Sequence, residues 1–487
     1  MAKNVELMGA VFPDCPAVML PTHEGPLARF TDVSDSQAVA ADVAQGKQFY
    51  LADGTKATGT NQGGGGGGGG GGTIKPNARL VLIDYDGSIV DSYTQSEINA
   101  LSALPANPDH SGDEIPLTSQ GWNWTLTEVR EQLTAMPEQT VYVGQMYVPT
   151  DGKTHIVIEI EEGSPANRMT VGVRYQQSKS QGVTLDWGDG SAPVSDSSTN
   201  AQYRTHTYAN TGKYDITLDV TSGAITFGGS SSNRIVQNEW NYARVRQIRI
   251  GSQVTVGGYG FYGLRGVKAI TIAQGTSINT SNNHFNVIKG INALVIPNNV
   301  KTASTYMVGN STISALSLPY GITGISANAF TQNTNLKHIT LPITLLSMGN
   351  NAFSNDGSLS EISVPSGITT FGTNIFNSCE FATKITLSEG MKTVAQTLCN
   401  GCRSITKVTI PSTVESIASS AFQNCLSVGE YHLKPTTPPT IVEYSFSGIA
   451  SDCVFYVPYS ADHSVLEAYK TASVWSTYAS RMVEEAE

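Results

Sequence analysis

The chain has 487 residues, a formal net charge of -11 and only 14% charged residues. That length exceeds one ordinary domain, and the acidic balance argues against nucleic-acid binding, which rests on a basic face. No stretch approaches the ~20 consecutive apolar residues of a membrane-spanning helix, so no membrane insertion is expected.

At the start, Glu6, Pro13, Asp14 and Pro16 interrupt any apolar run, which reads against a signal peptide. The segment Met482–Glu487 carries no apolar anchor. The expectation is synthesis in the cytoplasm without general secretory export. Residues 1–62 read as a first small module, with short strands around Phe30 and Phe49. A helix starts at the Ser36 cap and stops at Gly46, and Asp53-Gly54 turns a hairpin. Gly63–Gly72 is an unbroken run of ten glycines, read as a flexible linker of ~17 Å mean span. The alternative is a polyglycine helix packed against copies of itself in a homo-oligomer.

Residues 73–165 read as a small α+β domain. A strand from Arg79 turns at Asp86-Gly87 into Ile89-Val90, and Ser96–Leu104 is helical. Thr125 and Glu128 form a capping-box pattern ahead of a second helix. Strands Val141–Val148 and His155–Ile160 are joined through Asp151-Gly152. In residues 166–232, Tyr214, Ile216, Leu218 and Val220 alternate as a half-buried strand does, and Gly188-Asp189-Gly190 is a tight turn. Residues 459–487 read as a helical cap, through Val465–Tyr469 and Trp475–Ala479.

Between these, residues 233–458 carry the strongest signal, an apolar-x-x-apolar-x-apolar pattern that recurs from Val245 to Leu433. Its first positions are Val245, Val267, Ile291, Ile313, Leu336, Leu359, Ala382, Ile405 and Val428, spaced by 22, 24, 22 and then 23 residues. A fixed period of this size marks a solenoid, whose units bury their apolar edges only by stacking. One short strand is expected per unit. Pro follows it at Pro297, Pro319, Pro342, Pro365 and Pro411, where it ends ladder pairing. A ring recurs at Phe330, Phe353, Phe376 and Phe422, with Cys399 in the same column. The first three units lack parts of this punctuation and read as an atypical leading edge.

The units Leu318-Pro319 to Ile322 and Val364-Pro365 to Ile368, with Ala329-Phe330 and Ala421-Phe422, resemble BspA-type leucine-rich repeats. Trp187-Gly-Asp-Gly190 with His206, Tyr208, Gly212 and Tyr214 resembles a PKD-type β-sandwich, which implies spacing or adhesion and not chemistry. The pattern Ala40-x-Asp42-Val43 to Gly46-Lys47-x-Phe49-Tyr50, followed by Gly54 and Gly59-Thr60, resembles N-terminal modules of bacteriophage tail proteins. Gly121–Trp124 and Val143–Val148 resemble a segment found upstream of repeats in the same class. Together these resemblances imply a mainly β, multidomain chain: small α+β modules, a PKD-like sandwich, a leucine-rich-repeat solenoid and a C-terminal helical cap. They imply a virion tail protein whose N-terminal module joins other tail proteins and whose solenoid binds a host surface glycan or protein. The alternative is a bacterial surface adhesin with BspA-like repeats.

No catalytic constellation stands out, and no turnover and no cofactor are expected. Cys399 and Cys402 form a C-x-x-C with zinc spacing. Cys379, Cys402 and Cys425, however, follow the repeat period, so a column of small buried residues is the preferred reading and no metal is assigned. Asp186 and Asp189 suit calcium, but Asp also favours turns for its own backbone reasons. Trp122 and Trp124 suit sugar stacking or core packing, the second being commoner. The candidate binding residues lie between the inward apolar positions, where side chains point out from the sheet. They are His338, Glu361, Lys384, Lys407 and Glu430 in one column, and Thr340, Ser363, Thr386 and Thr409 in the next.

Overall fold

The computed structural model describes residues 72–165, 168–231, 234–236, 244–279 and 281–486, and six strands nearer the N-terminus. The chain divides into two compact units, Met1–Gly66 and Gly67–Glu487. In the first, Lys3–Leu7 pairs with Ala10–Cys15, Ala17–Thr22 with Gly25–Thr31, and Gln48–Tyr50 with Lys56–Thr58, all antiparallel. The last pair flanks the expected Asp53-Gly54 turn. The helix expected at 36–46 and the glycines 63–71 lie outside the described residues.

The second unit opens with a four-stranded sheet in the order Ile89–Tyr93, Leu80–Ile83, Val141–Pro149, Leu117–Trp122. Helices Gln95–Ala100 and Leu126–Ala135 accompany it. Each starts at a Thr whose side chain accepts a bond from the backbone of a Glu three residues on, and that Glu reaches back to the Thr N–H. These reciprocal bonds satisfy donors that a helix start leaves open. The first helix is shorter than expected, because Leu101 is already extended. Leu80, Leu82, Trp124, Val129, Leu133, Val141 and Val143 form the domain's own core.

Thr154–Ile160, which the sequence reading joined to this domain, pairs instead with Gly212–Val220 and with Val245–Ile250. It belongs to a sheet ordered Val194–Ser195, Val183–Asp186, Gly212–Val220, Thr154–Ile160, Val245–Ile250, Ala269–Ile272. A second sheet runs Gln202–Thr207, Thr170–Gln177, Ile225–Phe227, Val254–Val256, Ser277–Ile278. The last two strands of each sheet are the first rungs of the repeats. One hydrophobic core therefore extends from Ile156 to Met482, and the paired sheets close the leading edge of the stack. A capped end protects strand edges that would otherwise pair with other chains.

Each repeat holds two short parallel strands and not the one expected. Glu361–Val364, for example, pairs with Lys384–Leu387, while Thr370–Phe371 pairs with Ser347–Met348. Pro ends the first strand and opens the turn to the second: the carbonyls of Pro297, Pro319, Pro342 and Pro411 accept bonds from Val300, Ile322, Leu345 and Val414. After the second strand the chain passes through a left-handed residue. Asn328, Asn351 and Asn374 fill this place at φ of 57°, 56° and 57°, a conformation Asn tolerates better than most side chains.

The ring column is longer than the sequence suggested. Phe330 and Phe353 stack at 5.3 Å, as do Phe353 and Phe376. Earlier in the stack Phe261 and Phe285 occupy equivalent places at 5.4 Å, and later Phe446 follows Phe422 at 5.7 Å. All these rings are buried. Beyond the last repeat come helix Ser464–Thr471, a 3-10 turn Trp475–Arg481, and a strand, Met482–Glu484, that the helical expectation missed. This strand pairs in parallel with Val454–Val457 as a final rung.

Candidate functional site: the sheet face of the repeats

The outward columns of the first strands carry the candidate binding residues. One runs Ala269, Ala293, Ala315, His338, Glu361, Lys384, Lys407, Glu430; the other runs Thr271, Val295, Ser317, Thr340, Ser363, Thr386, Thr409, His432. The sequence reading expected both columns to lie open. In the structure the α+β domain sits on the first half of them. Its strand Val141–Pro149 crosses the repeats, with Tyr142 packed on Ala293 and Ala315, and Tyr147 on Ala269. At Gly144 the two layers touch: a Cβ there would lie 2.5 Å from Val295 Cγ2 and 2.9 Å from Ser317 Cβ.

Polar contacts complete the docking. The Trp124 indole N–H donates to the Leu318 carbonyl at 2.7 Å, and Gln132 donates to Leu341 and accepts from the Ile343 N–H. Thr340 Oγ1 accepts from the Tyr142 N–H at 2.7 Å. Thr340 is consequently only 1% exposed and Ser363 9%, so neither is the solvent-facing hydroxyl that was expected. Trp124 is an internal anchor and no sugar platform, while the Trp122 indole donates to the Pro105 carbonyl.

The later turns keep an open face. Lys407 and Thr409 are exposed, and Thr386, Glu430 and His432 are half-buried. Here the charges form a chain. Lys407 Nζ lies 3.4 Å from Glu430 Oε2, which lies 3.0 Å from His432 Nε2. His432 Nδ1 is 2.7 Å from Glu485, and its ring stacks on Tyr456 at 4.6 Å. The His432 and Lys407 contacts hold the Glu430 carboxyl below its usual range.

At the boundary between covered and open turns lies a cleft of about 370 Å³, bordered by Lys75, Arg79, Glu138, Tyr142, Glu361 and Lys384. A smaller recess of about 70 Å³, lined by Gln139, Tyr142, His338, Ser360 and Glu361 among others, adjoins it. The His338 ring stacks on Tyr142 at 4.6 Å and 12°. Burial, with the Lys337 charge, lowers the His338 pKa to about 4 and keeps the imidazole neutral. His338, Glu361 and Lys384 therefore meet at one place, and Lys407, Thr409 and Glu430 at another.

Other groups with chemical potential are engaged structurally. His110 lies between Asp84 at 2.8 Å and Asp113 at 3.0 Å, but the His110 and Asp84 side chains are fully buried. Tyr85 donates to Asp113, and Arg249 lies over the Tyr85 ring at 4.3 Å, tying the α+β domain to the first repeat strand. Burial opposes the His110 charge, yet the Asp84 and Asp113 contacts outweigh it and raise the pKa. Asp186 and Asp189 accept bonds from Gly188 and Ser191 within their own turn, and Asp189 also binds His206 at 2.6 Å. The thiols of Cys379, Cys402 and Cys425 donate to the Phe353, Phe376 and Cys399 carbonyls of the preceding turn. Burial raises the Cys379 and Cys399 pKa values far above the ordinary thiol range. Among the described residues no group of three or more His, Cys, Asp or Glu is placed to hold a metal, and no helix is long and apolar enough to cross a membrane.

Residues 233–312 and 304–429 match the BspA type leucine-rich repeat region, in six copies. Similar solved structures include a leucine-rich repeat protein from Bacteroides ovatus, 18% identical, with a TM-score of 0.31 over 50% of this chain and 65% of that one. The chain thus spans about two thirds of that relative's length. A leucine rich cell surface protein from Faecalibacterium prausnitzii is 16% identical, with a TM-score of 0.26 over 51% of this chain and 94% of that one. A leucine-rich repeat protein from Eubacterium ventriosum is 15% identical, with a TM-score of 0.21 over 46% and 90%. No curated protein sequence matches the chain.

Proposed function

We propose that this chain is a non-enzymatic recognition protein that acts at a bacterial surface, binding a glycan or a protein through its repeat solenoid. The observation that carries this reading is the BspA-type repeat array over residues 233–429. Such repeats suit display on a bacterial cell, which makes a surface adhesin the first setting. The uncovered turns, with Lys407, Thr409 and Glu430, supply the binding face. Mixed charge beside hydroxyls suits polar partners, whose groups both donate and accept. The paired sheets around Trp187 act as a PKD-like spacer.

A second setting is the tail of a phage that attaches to such a cell. Ala40–Tyr50 and Gly54–Thr60 favour it through their likeness to phage tail modules. In that setting the N-terminal module would join other tail proteins. Electron microscopy with an antibody to this chain separates the two: label on the cell envelope supports the adhesin, and label on tails supports the phage protein.

Binding itself is tested by the attachment of fluorescent full-length chain to bacterial cells. The triple variant Lys407→Ala, Thr409→Ala, Glu430→Ala should attach more weakly at an unchanged melting temperature. Unchanged attachment would move the binding face elsewhere on the molecule.

A further inference from the structure

The recess between Gln139 and Glu361 is built for hydrogen bonding and is not filled by the chain's own groups. Gln139 is only 2% exposed. Its Oε1 accepts from Gln132 Nε2 at 2.6 Å, yet its own Nε2 has no partner. A buried amide N–H without an acceptor is unfavourable unless something supplies one. Across the recess the neutral His338 ring lies 3.4 Å from Ser360 Oγ through Nδ1. Neutral imidazole offers one donor and one acceptor. At the rim, the Glu361 carboxylate has no hydrogen-bond or ion-pair partner among the described residues and accepts bonds only. Beside it Arg79 and Lys384 share one carboxylate, Glu138, at 3.7 Å and 3.4 Å.

This set of groups favours no single sign of charge. The free Glu361 carboxylate at the rim opposes an anion, and Lys75, Arg79 and Lys384 along the same cleft oppose a cation. What fits is a neutral molecule whose groups both donate and accept, repeated on adjacent atoms. The cleft of about 370 Å³ lies at the small end of the range for ligand pockets. The recess of about 70 Å³ beneath it accommodates one projecting group. We propose that this cleft is a saccharide subsite: it takes the terminal neutral hexose of a surface glycan. Glu361 accepts from adjacent ring hydroxyls, and Gln139 Nε2 and His338 bind a hydroxyl that reaches into the recess. The subsite rests on the recognition reading and gives it a ligand class.

The test is saturation-transfer NMR on the full chain with free glucose, galactose, mannose, N-acetylglucosamine and N-acetylneuraminic acid. At least one of the neutral sugars should bind. Glu361→Ala, a change at an exposed position, should weaken that binding tenfold or more. Gln139→Glu, which keeps the acceptor and removes the free donor, should do the same with its melting temperature checked alongside. Lys392→Ala, beside the second-strand ladder, should change nothing. Binding of no neutral sugar, of the acidic sugar alone, or equal binding by the Glu361→Ala protein overturns the subsite. Cell attachment measured in parallel separates the two levels. Attachment without sugar binding sinks the subsite and spares the recognition reading. Sugar binding without attachment does the reverse.

Discussion

The turns up to Ser363 and the turns from Lys407 onward share one strand pattern, one buried column and one core, yet their outer faces differ. Thr340 is buried under Tyr142, whereas Thr409, two and then one repeat beyond Ser363 and Thr386 in the same column, faces solvent. The difference is carried by side-chain size. Where the strand Val141–Pro149 lies on the ladder, the column reads Ala269, Ala293, Ala315; where no described residue of that domain lies on it, the column reads Lys407 and Glu430. Small residues admit a second layer, and long charged ones keep their heads in water. The inward pattern specifies the stack, and the outward column specifies what the stack touches.

The largest expected effect tests what the two regions share. Phe353→Ala and Phe422→Ala should each cost ~3–5 kcal/mol in denaturant unfolding, because both rings are fully buried. A cost under ~1 kcal/mol at either position would mean that the buried column, which Cys399 interrupts between Phe376 and Phe422, does not support both regions alike. The next variant should strike the covered region alone. Gly144→Val drives side-chain carbons into Val295 and Ser317 and should cost ~1–3 kcal/mol as overpacking. Amide exchange should rise across 293–340 and stay unchanged across 407–457. A uniform rise would mean that the docked domain supports the whole array.

A smaller effect is expected from Trp124→Phe, which removes the 2.7 Å bond to the Leu318 carbonyl and should lower stability by about 1 kcal/mol. An effect of pH, of the same order, divides the docked interface itself. His338 has a lowered pKa of about 4, so its contribution is present above the unfolded value of ~6.5 and is lost as pH falls toward 4. His110 has a raised pKa, so its contribution is full below ~6.5 and is lost as pH climbs through the folded value. Between pH 7 and 5, amide protection, corrected for intrinsic exchange, should fall around Tyr142 and Thr340 and hold or rise around Tyr85 and Arg249. A parallel fall at both ends would contradict the opposite shifts.

Much of the stack was legible because burial repeats in phase. The triplets, the prolines and four of the rings all follow from the 23-residue spacing. The second strand of each turn was not legible, since two residues such as Thr370–Phe371 are too short to show alternation. Phe261 and Phe285 do not stand out in the sequence, because unequal early units, 22 and 24 residues long, throw the column out of register. The affiliation of Thr154–Ile160 was hidden for another reason: its pairing partners lie far along the chain, and a two-residue turn toward the preceding strand looked sufficient. The recess was half visible. His338 and Glu361 stood out from the repeat, but Gln139 carries no periodic signal and gains meaning only once the α+β domain is docked. The run Ala269, Ala293, Ala315 was the available clue to that docking.

The strand laid across the repeats also bears on mechanics. Curving or winding a solenoid changes the separation of neighbouring turns on one face. Val141–Pro149 is fixed to that face at Ala269 through Tyr147, at Val295 through Gly144 and at Thr340 through Tyr142. It works as a splint, holding those turns at one spacing. Among the described residues no such strand crosses the ladder past Lys384, so the turns that carry Lys407, Thr409 and Glu430 should be the more compliant ones. If the proposed binding face carries a load, those turns should yield before the braced ones.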